Sequence, residues 1–480
     1  MNTVDLRVAE KDWVPLRQLL DSSFRQGFEK ETGALGILGE CRTEGKREFI
    51  IAKIFPPGPG DIKYANSGAL VFDSSYIRRA HLAMRSERLA GLVTFHTHPF
   101  TDRRVDFSRF DLREDPLLIG NLQEMEPRTR LLSVVIGKHS LRGRLWNDPS
   151  SHEKLRELVV VGEKLSFLPL NGAAEPPPPP PEAIFDRGLA LTGAGALSRL
   201  SKMRVAVVGA SGTGSLVCEL LARAGCRRVM VIDDDIAKNV NLNRILHATS
   251  RDVLHHAPKV EVLKQAIERL GLRCRVESIY GNILDTDVMM RLREADVIFG
   301  CVDKALPRKY LSEFAYRYCR PYIDVGSEIG GDDRGIVCIT TRTSYIAPGR
   351  HCLLCSGIVT PRQLHFESLS ADERQRTAAM GYSDDLVLEQ PAVMDLNMRA
   401  ASCGMMVLRH LLQPFLLIPL PVTISENLVT YTMIPIQEAR DASASCRICQ
   451  VNAKAGYGDC GPPIGMDKAT VAAIRKGEKQ

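Results

Sequence analysis

The sequence predicts an α/β protein of two domains, the second a doubly wound parallel sheet. Three observations lead there. Six consecutive prolines, Pro176 to Pro181, interrupt the chain once. Beyond them, short apolar runs alternate with helical segments in a repeated βα order, the pattern of buried parallel strands. Before them, strand and helix signals alternate around a hairpin.

In the first part, apolar runs at 33–38, 49–54 and 92–95 read as strands, and 74–84 and 106–122 as helices. Residues 131–136 and 140–146 flank Gly137-Lys138-His139 as a hairpin. The stretch 173–183 reads AAEPPPPPPEA, a polyproline II spacer of about 3.1 Å per residue. The expected domains are therefore 1–170 and 184–480, joined by 171–183. In the second part, strands are predicted at 204–208, 228–232, 273–279 and 295–299. Helices are predicted at 215–223, 259–270 and 285–294, with another from Val393.

Composition narrows the class. A chain of 480 residues with 44% hydrophobic and 25% charged residues is globular rather than disordered or fibrous. The net charge of +6 is mild and no block of like charge stands out, so no nucleic-acid partner is expected. No apolar run approaches the roughly 18 residues of a membrane span. The first residues have no apolar core of a leader, so a cytoplasmic location is expected. Thirteen cysteines, an odd number, read as thiols or metal ligands in a reducing compartment.

His96 and His98 stand on a predicted strand, where residues i and i+2 share a face. Ser108 and Asp111 share a face near the start of a helix. Two histidines and a carboxylate leave a tetrahedral zinc one open position, as catalytic zinc requires. This series, with a glutamate upstream, resembles the JAB/MPN+ (JAMM) metalloprotease family over most of residues 1–165. The resemblance implies a cytidine-deaminase-like α/β sandwich and zinc on His96, His98 and Asp111. It implies Glu31 as general base for the activated water, with Glu29 as the alternative, and Ser108 as the oxyanion group. It further implies cleavage after the C-terminal glycine of a ubiquitin-like protein.

Gly209, Gly212 and Gly214 lie between a strand and a helix, where backbone amides can approach a phosphate. Alone, that turn serves NAD, FAD or ATP. The continuation is more specific: Asp233-x-Asp235, then Asn241-Leu-Asn-Arg244, Lys259 and Cys301-Val-Asp303. The series resembles the ThiF/MoeB/ubiquitin-activating superfamily over roughly 184–440. By resemblance, Asp233 holds the ribose, and Asn241, Arg244 and Lys259 contact the triphosphate of ATP. Asp303 helps hold Mg2+, and Arg187, in Phe185-Asp-Arg187, acts in trans within a homodimer. Three positions depart from the family pattern: Ser211 for Gly, Ile245 for Gln and Lys304 for Asn.

Cys352-x-x-Cys355 and Cys446-x-x-Cys449 can present four thiolates to a structural zinc. A redox CxxC is the alternative, and His351 or Cys460 could substitute as ligands. Thioester-forming relatives carry a nucleophilic cysteine after the first pair, yet 356–402 contains none. Cys403 lies in an apolar helix and reads as core.

The resemblances together imply a bifunctional enzyme acting on a ubiquitin-like β-grasp protein. A zinc peptidase would trim or remove it, and ATP would adenylate its C-terminal glycine for conjugation through a conjugating enzyme, as in bacterial antiphage systems. The alternative is a sulfur-carrier protein matured, activated and passed to a sulfur donor. A nucleotide-binding scaffold without catalysis ranks below both.

Overall fold

A computed structural model describes residues 3–25, 30–100, 104–171, 182–332, 335–369, 373, 376, 392–437, 445–450 and 454–479. The polyproline spacer and Glu29 lie outside the described residues. Two units make up the chain: Met1–Pro177 with Arg317–Cys319 and Lys454–Pro462, and the remainder.

The first unit runs β1 (Thr3–Ala9), α1 (Glu10–Asp21), β2 (Gly33–Thr43), β3 (Lys46–Phe55), a small pair β4 (Ile62–Ala65) and β5 (Leu70–Phe72), α2 (Ser74–Ser86), β6 (Gly91–Thr97) and α3 (Arg109–Met125). It continues through β7 (Arg130–Ile136), β8 (Leu141–Asp148), β9 (Ser151–Val161) and β10 (Leu165–Pro169). The main sheet has the order β1-β3-β2-β6-β7-β8-β9-β10, and β1 also pairs with β9. The expected sandwich is thus a sheet closed on itself. The cause is β1, which no motif marks: it lies parallel to both β3 and β9 and leaves neither with a free edge there.

Strand alternation sorts the core. On β6, Val93 and Phe95 pack with Trp13, Leu16 and Leu20 of α1. Leu92 faces the other way, toward Tyr76, Ala80 and Met84 of α2 and Ile119 and Leu122 of α3. His96 shares the parity of Leu92 and so belongs to the α2–α3 face. The predicted hairpin is present as the antiparallel pair β7–β8. The helix predicted from 106 begins at Arg109, because Ser108 and Asp111 form a reciprocal capping box.

Lys454–Pro462 completes this unit from far along the sequence. Gly458 bridges Glu40 in parallel, at the end of β2 that outruns β6. The Asp459 amide donates to the Glu40 carbonyl at 2.6 Å, and the Arg42 amide donates to Asp459 Oδ2 at 2.9 Å. A Cβ on Gly39 would stand 2.1 Å from the Gly456 oxygen, so the two backbones touch.

The second unit contains α4 (Asp186–Lys202), β11 (Arg204–Val208), α5 (Gly212–Arg223), β12 (Arg228–Asp233), α6 (Ser250–Leu254), α7 (Lys259–Arg269), β13 (Arg275–Tyr280), α8 (Thr286–Met289), β14 (Val297–Gly300) and α9 (Ala305–Arg317), whose last residue clusters with the first unit. Then come β15 (Tyr322–Asp332), β16 (Gly335–Ile346), α10 (Pro361–Ser368), α11 (Met394–Leu412), β17 (Thr423–Asn427), β18 (Thr432–Ile436) and α12 (Lys468–Lys479). The sheet order is β13-β12-β11-β14-β15-β16-β17-β18. Its first five strands are parallel, as expected. The last three are antiparallel, an extension the βα pattern did not announce. The helix predicted at 285–294 is one α-helical turn followed by a 3-10 helix, Met290–Glu294. Its buried residues Met289 and Leu292 are three apart, the repeat of the tighter helix.

Chain order reverses between β11 and β14, which places the ligand crevice beyond their carboxyl ends. No described helix is long and apolar enough to cross a membrane.

Leu158 on β9 is fully buried opposite Leu6 of β1, where the sheet closes. Leu158→Ala should therefore cost about 2–5 kcal/mol of stability. Urea unfolding followed by tryptophan emission checks this, since both tryptophans, Trp13 and Trp146, lie in the first unit.

Candidate functional site

Three side-chain clusters fall where chemistry was expected. In the first unit, β6 delivers His96, and His98 follows it on the same face. The His98 amide donates to the Ile136 carbonyl at 2.9 Å, which extends the strand alignment by one residue. His96 sits opposite Gly33 of β2, where a Cβ would stand 2.4 Å from the Phe95 carbonyl oxygen. The capping box at the start of α3 presents Asp111.

Asp111 Oδ1 lies 3.2 Å from His96 Nε2, and Asp111 Oδ2 lies 3.4 Å from His98 Nε2. Neither Nε2 has a hydrogen-bond partner, although both are buried. One ligand atom from each of the three residues falls within 4.8 Å of the others. A tetrahedral zinc with bonds of about 2.0 Å has ligand–ligand edges of roughly 3.3 Å. The spacing fits that ion, which would also satisfy the two orphaned buried nitrogens.

Glu31 is buried with its Oε1 3.6 Å from His98 Nε2. Burial, with Asp111 adding to it and His98 opposing, raises its carboxyl pKa to about 7. Backbone bonds fix its place: the Glu31 amide donates to the Asn66 carbonyl at 2.9 Å, and the next amide donates to Thr97 Oγ1 at 3.0 Å. Burial would raise the Asp111 carboxyl too, but the close approach of His96 and His98 and the bond from the Ser108 amide hold it far below the carboxylate range. Ser108 Oγ donates to Asp111 Oδ2 at 2.9 Å, so its hydroxyl is tied to the ligand set.

A buried ion pair braces α3 from behind. Arg144 of β8 binds Asp115 Oδ2 at 2.8 Å and donates to the Asp111 carbonyl at 3.0 Å. Trp146 Nε1 donates to the same Asp115 oxygen at 3.1 Å. No motif marks these residues. The available signal was an arginine and a tryptophan on one face of a strand, opposite a helical aspartate.

In the second unit, the turn after β11 is the tightest approach. Gly209 has φ of +98°, and a Cβ there would stand 2.4 Å from the Cys301 carbonyl oxygen. A Cβ on Gly214 would stand 1.8 Å from the Gly209 oxygen. Ser211 has φ of −91°, ordinary extended backbone, so the departure from glycine there costs nothing.

Asp233, at the end of β12, accepts from the Ala210 amide at 2.7 Å and the Asp235 amide at 2.8 Å. It thereby ties the glycine turn to its own strand, and burial raises its pKa. Lys259 is buried at the start of α7, with Nζ 2.9 Å from Asp235 Oδ2. Asn241 is buried and accepts from the Lys238 amide. The Arg244 stem lies beside the turn, its Cδ 3.6 Å from where a Gly212 Cβ would be. Its guanidinium donates to the Val240 carbonyl at 2.6 Å. Ile245, in place of glutamine, is core. Asp303 follows β14 and is exposed, and Lys304 next to it is half-buried.

The structure does not bring Arg187 into this group. It is exposed in the first turn of α4. Two unmarked residues do belong here. Asn397 of α11 is buried, its Nδ2 2.3 Å from the Gly212 Cβ position and its Oδ1 accepting from Thr213 Oγ1. A buried asparagine within an apolar helix was its sequence signal. Arg475 of α12 binds Asp234 Oδ2 at 3.1 Å.

Cys352, Cys355, Cys446 and Cys449 form one cluster, as expected, and neither His351 nor Cys460 is part of it. Cys352 Sγ is 3.7 Å from Cys446 Sγ, and Cys449 Sγ is 3.5 Å from Cys355 Sγ. With metal–sulfur bonds of about 2.3 Å, a tetrahedron has edges of roughly 3.8 Å. The hydrogen bond from Cys352 draws the Cys449 thiol well below its ordinary range. Cys403 lies in α11, and burial pushes its thiol up, the reverse of an activated nucleophile. Most of 368–382 lies outside the described residues.

The ThiF family profile matches residues 185–447, more than half of the chain, and the chain belongs to this family. The tRNA threonylcarbamoyladenosine dehydratase 2 of Saccharomyces cerevisiae is 34% identical over 125 residues, 25% of this chain and 28% of that protein. The sulfur carrier protein ThiS adenylyltransferase of Bacillus subtilis is 24% identical over 156 residues, 32% of this chain and 45% of its own. Each match thus spans less than half of the relative. The crystal structure of Escherichia coli MccB with ATP is 19% identical with a TM-score of 0.44, covering 56% of this chain and 75% of MccB.

Gly214→Ala should disrupt the turn, since its Cβ would overlap the Gly209 carbonyl. ATP affinity should fall at least about tenfold, roughly 1.4 kcal/mol or more. Calorimetric titration with Mg·ATP checks this.

Proposed function

We propose that the chain adenylates the C-terminal carboxylate of a ubiquitin-like or sulfur-carrier protein. We propose further that its first unit is a zinc peptidase acting at that same C-terminal glycine. The observation that carries the first part is the grouping of Asp233, Arg244 and Lys259 around a glycine turn at the topological switch point, in a chain of the ThiF family.

In this reading the carboxylate oxygen attacks the α-phosphorus of ATP. A phosphorus–oxygen bond to the β-phosphate breaks, pyrophosphate leaves with the electron pair, and an acyl-adenylate forms. Arg244 and Lys259 neutralise the developing charge. Binding a triphosphate requires Lys259 to share itself between phosphate and Asp235, its partner in the free pocket. Asn241 contacts the phosphates, Asp233 keeps lone pairs for a ribose hydroxyl, and Asp303 helps hold Mg2+. Arg187, exposed and outside its own chain's pocket, suits the pocket of a second copy in a homodimer. The absence of cysteine from 356–402 and the unactivated Cys403 favour passing the adenylate to a separate acceptor. That acceptor is a conjugating enzyme or a sulfur donor.

In the first unit, His96, His98 and Asp111 would hold the zinc. Bound there, zinc would supply a water of lowered pKa and polarise the scissile carbonyl. Glu31 takes the proton from the water and returns it to the leaving amine. Ser108 would turn its single hydroxyl proton from Asp111 to the developing oxyanion.

Three outcomes follow. The purified protein should carry two zinc ions per chain by elemental mass spectrometry. One should be lost in His96→Ala and the other in Cys352→Ser. Asp303→Ala should lower partner-dependent exchange of labelled pyrophosphate into ATP by at least about 100-fold, the scale of one electrostatic group at a transition state. Normal exchange in that variant overturns the adenylation assignment. Incubated with a β-grasp partner bearing a C-terminal extension, the enzyme should release the extension, and Glu31→Ala should not, although it keeps its zinc. Unchanged trimming by Glu31→Ala overturns the peptidase assignment, read by intact-mass spectrometry.

A further inference from the structure

At the β14–β15 end of the nucleotide crevice stands a second charged cluster, built from residues outside every motif above. Asp324 of β15 is fully buried. Arg308 of α9 places Nε 3.3 Å from Asp324 Oδ1, and Arg342 of β16 places Nη2 3.6 Å from Asp324 Oδ2. Tyr322 donates its hydroxyl to Asp324 Oδ1 at 2.7 Å. Two guanidiniums therefore face one carboxylate.

The cluster is unsatisfied. Arg308 Nε, Arg342 Nε and Asp324 Oδ2 are all buried without a hydrogen-bond partner. The two Nε donors lack an acceptor, which an anion would supply, while Asp324 Oδ2 already faces Arg342 Nη2 at 3.6 Å. Burial and the neighbouring Arg308 both disfavour the charge on Arg342, and Asp324 and Glu328 only partly offset them. Arg308 meets Asp324 with additional attraction from Asp303 and Glu367. Glu367 itself accepts from the Ala305 and Leu306 amides at 2.8 and 2.7 Å. Arg342 is thus the cation short of an anion.

The geometry also shows where that anion would lie. Both Nη2 atoms converge over Gly326, 2.9 and 3.4 Å from where its Cβ would stand, so a side chain there would fill the approach. The next residue, Ser327, donates to Asn397 Oδ1 at 2.8 Å, and the same Asn397 meets Thr213 and Gly212 of the nucleotide turn. One asparagine therefore links the arginine pair to the phosphate-binding loop.

We propose that Arg342 and Arg308 form the subsite that receives the C-terminal carboxylate of the protein substrate. This rests on the adenylation reading. A carboxylate brought up to a polyphosphate is repelled by it, and a separate cation has to hold it in place. Carboxylate binding neutralises the excess positive charge of the Arg–Asp–Arg cluster. Once the acyl-adenylate has formed, the carboxylate charge is gone and the hold relaxes.

The test uses the full-length enzyme and two probes, acetyl-Gly-Gly and its C-terminal amide, titrated by NMR in the presence of Mg2+ and α,β-methylene ATP. The wild type should prefer the acid over the amide by about 10- to 100-fold, the worth of one charge-assisted hydrogen bond. Arg342→Met should bring the acid down to the amide's affinity while keeping nucleotide affinity within about twofold, which also shows the variant is folded. Gly326→Ala, which keeps both arginines but fills the approach, should do the same. Unchanged discrimination in both variants overturns the proposal, and so does a wild type that binds nucleotide but treats acid and amide alike. If Arg342→Met instead weakens the nucleotide, the anion is a phosphate of ATP and the carboxylate assignment falls. Failure of the wild type to bind the nucleotide analogue sinks the adenylation reading itself, a result distinct from these.

Discussion

At Gly209 and Gly214 the turn after β11 has no room for a side chain, and the second unit is arranged around that fact. Gly209 lies against the Cys301 carbonyl and Gly214 lies against Gly209, so the strand, its turn and the following helix meet backbone to backbone. Asp233 clamps the turn from one side through the Ala210 amide, and Asn397 closes it from the other. The amides at the start of α5 are thereby held in the place where the helix dipole favours a phosphate. Asn397 depends on α11, which packs on α5 and β15. A helix nearly two hundred residues away in sequence thus shares in the shape of a short loop.

The first unit reaches a comparable end by different means. Its donors come from a strand and a helix start, two rigid elements, rather than from a loop. Strand parity orients the histidines and a capping box orients the aspartate, so ordinary secondary-structure forces do most of the positioning. The Arg144–Asp115 pair then fixes the helix against the sheet. Such a buried pair is weak evidence for stability, since desolvation offsets much of its attraction, but it is well suited to holding one register.

Much of this was legible in the sequence, and the limits are physical. His96, His98 and Asp111 could be read because i, i+2 and capping patterns are local. The four cysteines could be read because two CxxC pairs are each local, although their pairing in space is not. The glycine turn and Asp233 were visible for the same reason. What stayed hidden is non-local. Closure of the first sheet depends on β1 lying between β3 and β9, and nothing within β1 announces its partners. The antiparallel strands β16 to β18 follow the βα units without the helices that would frame them. Asn397, Arg308 and Arg342 look like scattered polar residues until the fold collects them. Arg187 was assigned from resemblance to another copy's pocket, and one chain cannot bring it there.

The first unit is not continuous in sequence. The end of β2 that outruns β6 is completed by Gly456, Gly458 and Asp459, the last lying 417 residues beyond its partner Arg42. During synthesis, this unit therefore cannot finish folding when its own first 170 residues leave the ribosome. It must wait, partly open beside β2, until residues 454–462 have been translated. The two units would then be completed close together in time rather than one after the other in chain order. A prematurely terminated chain would carry the histidines and the aspartate, but with the edge of β2 left exposed.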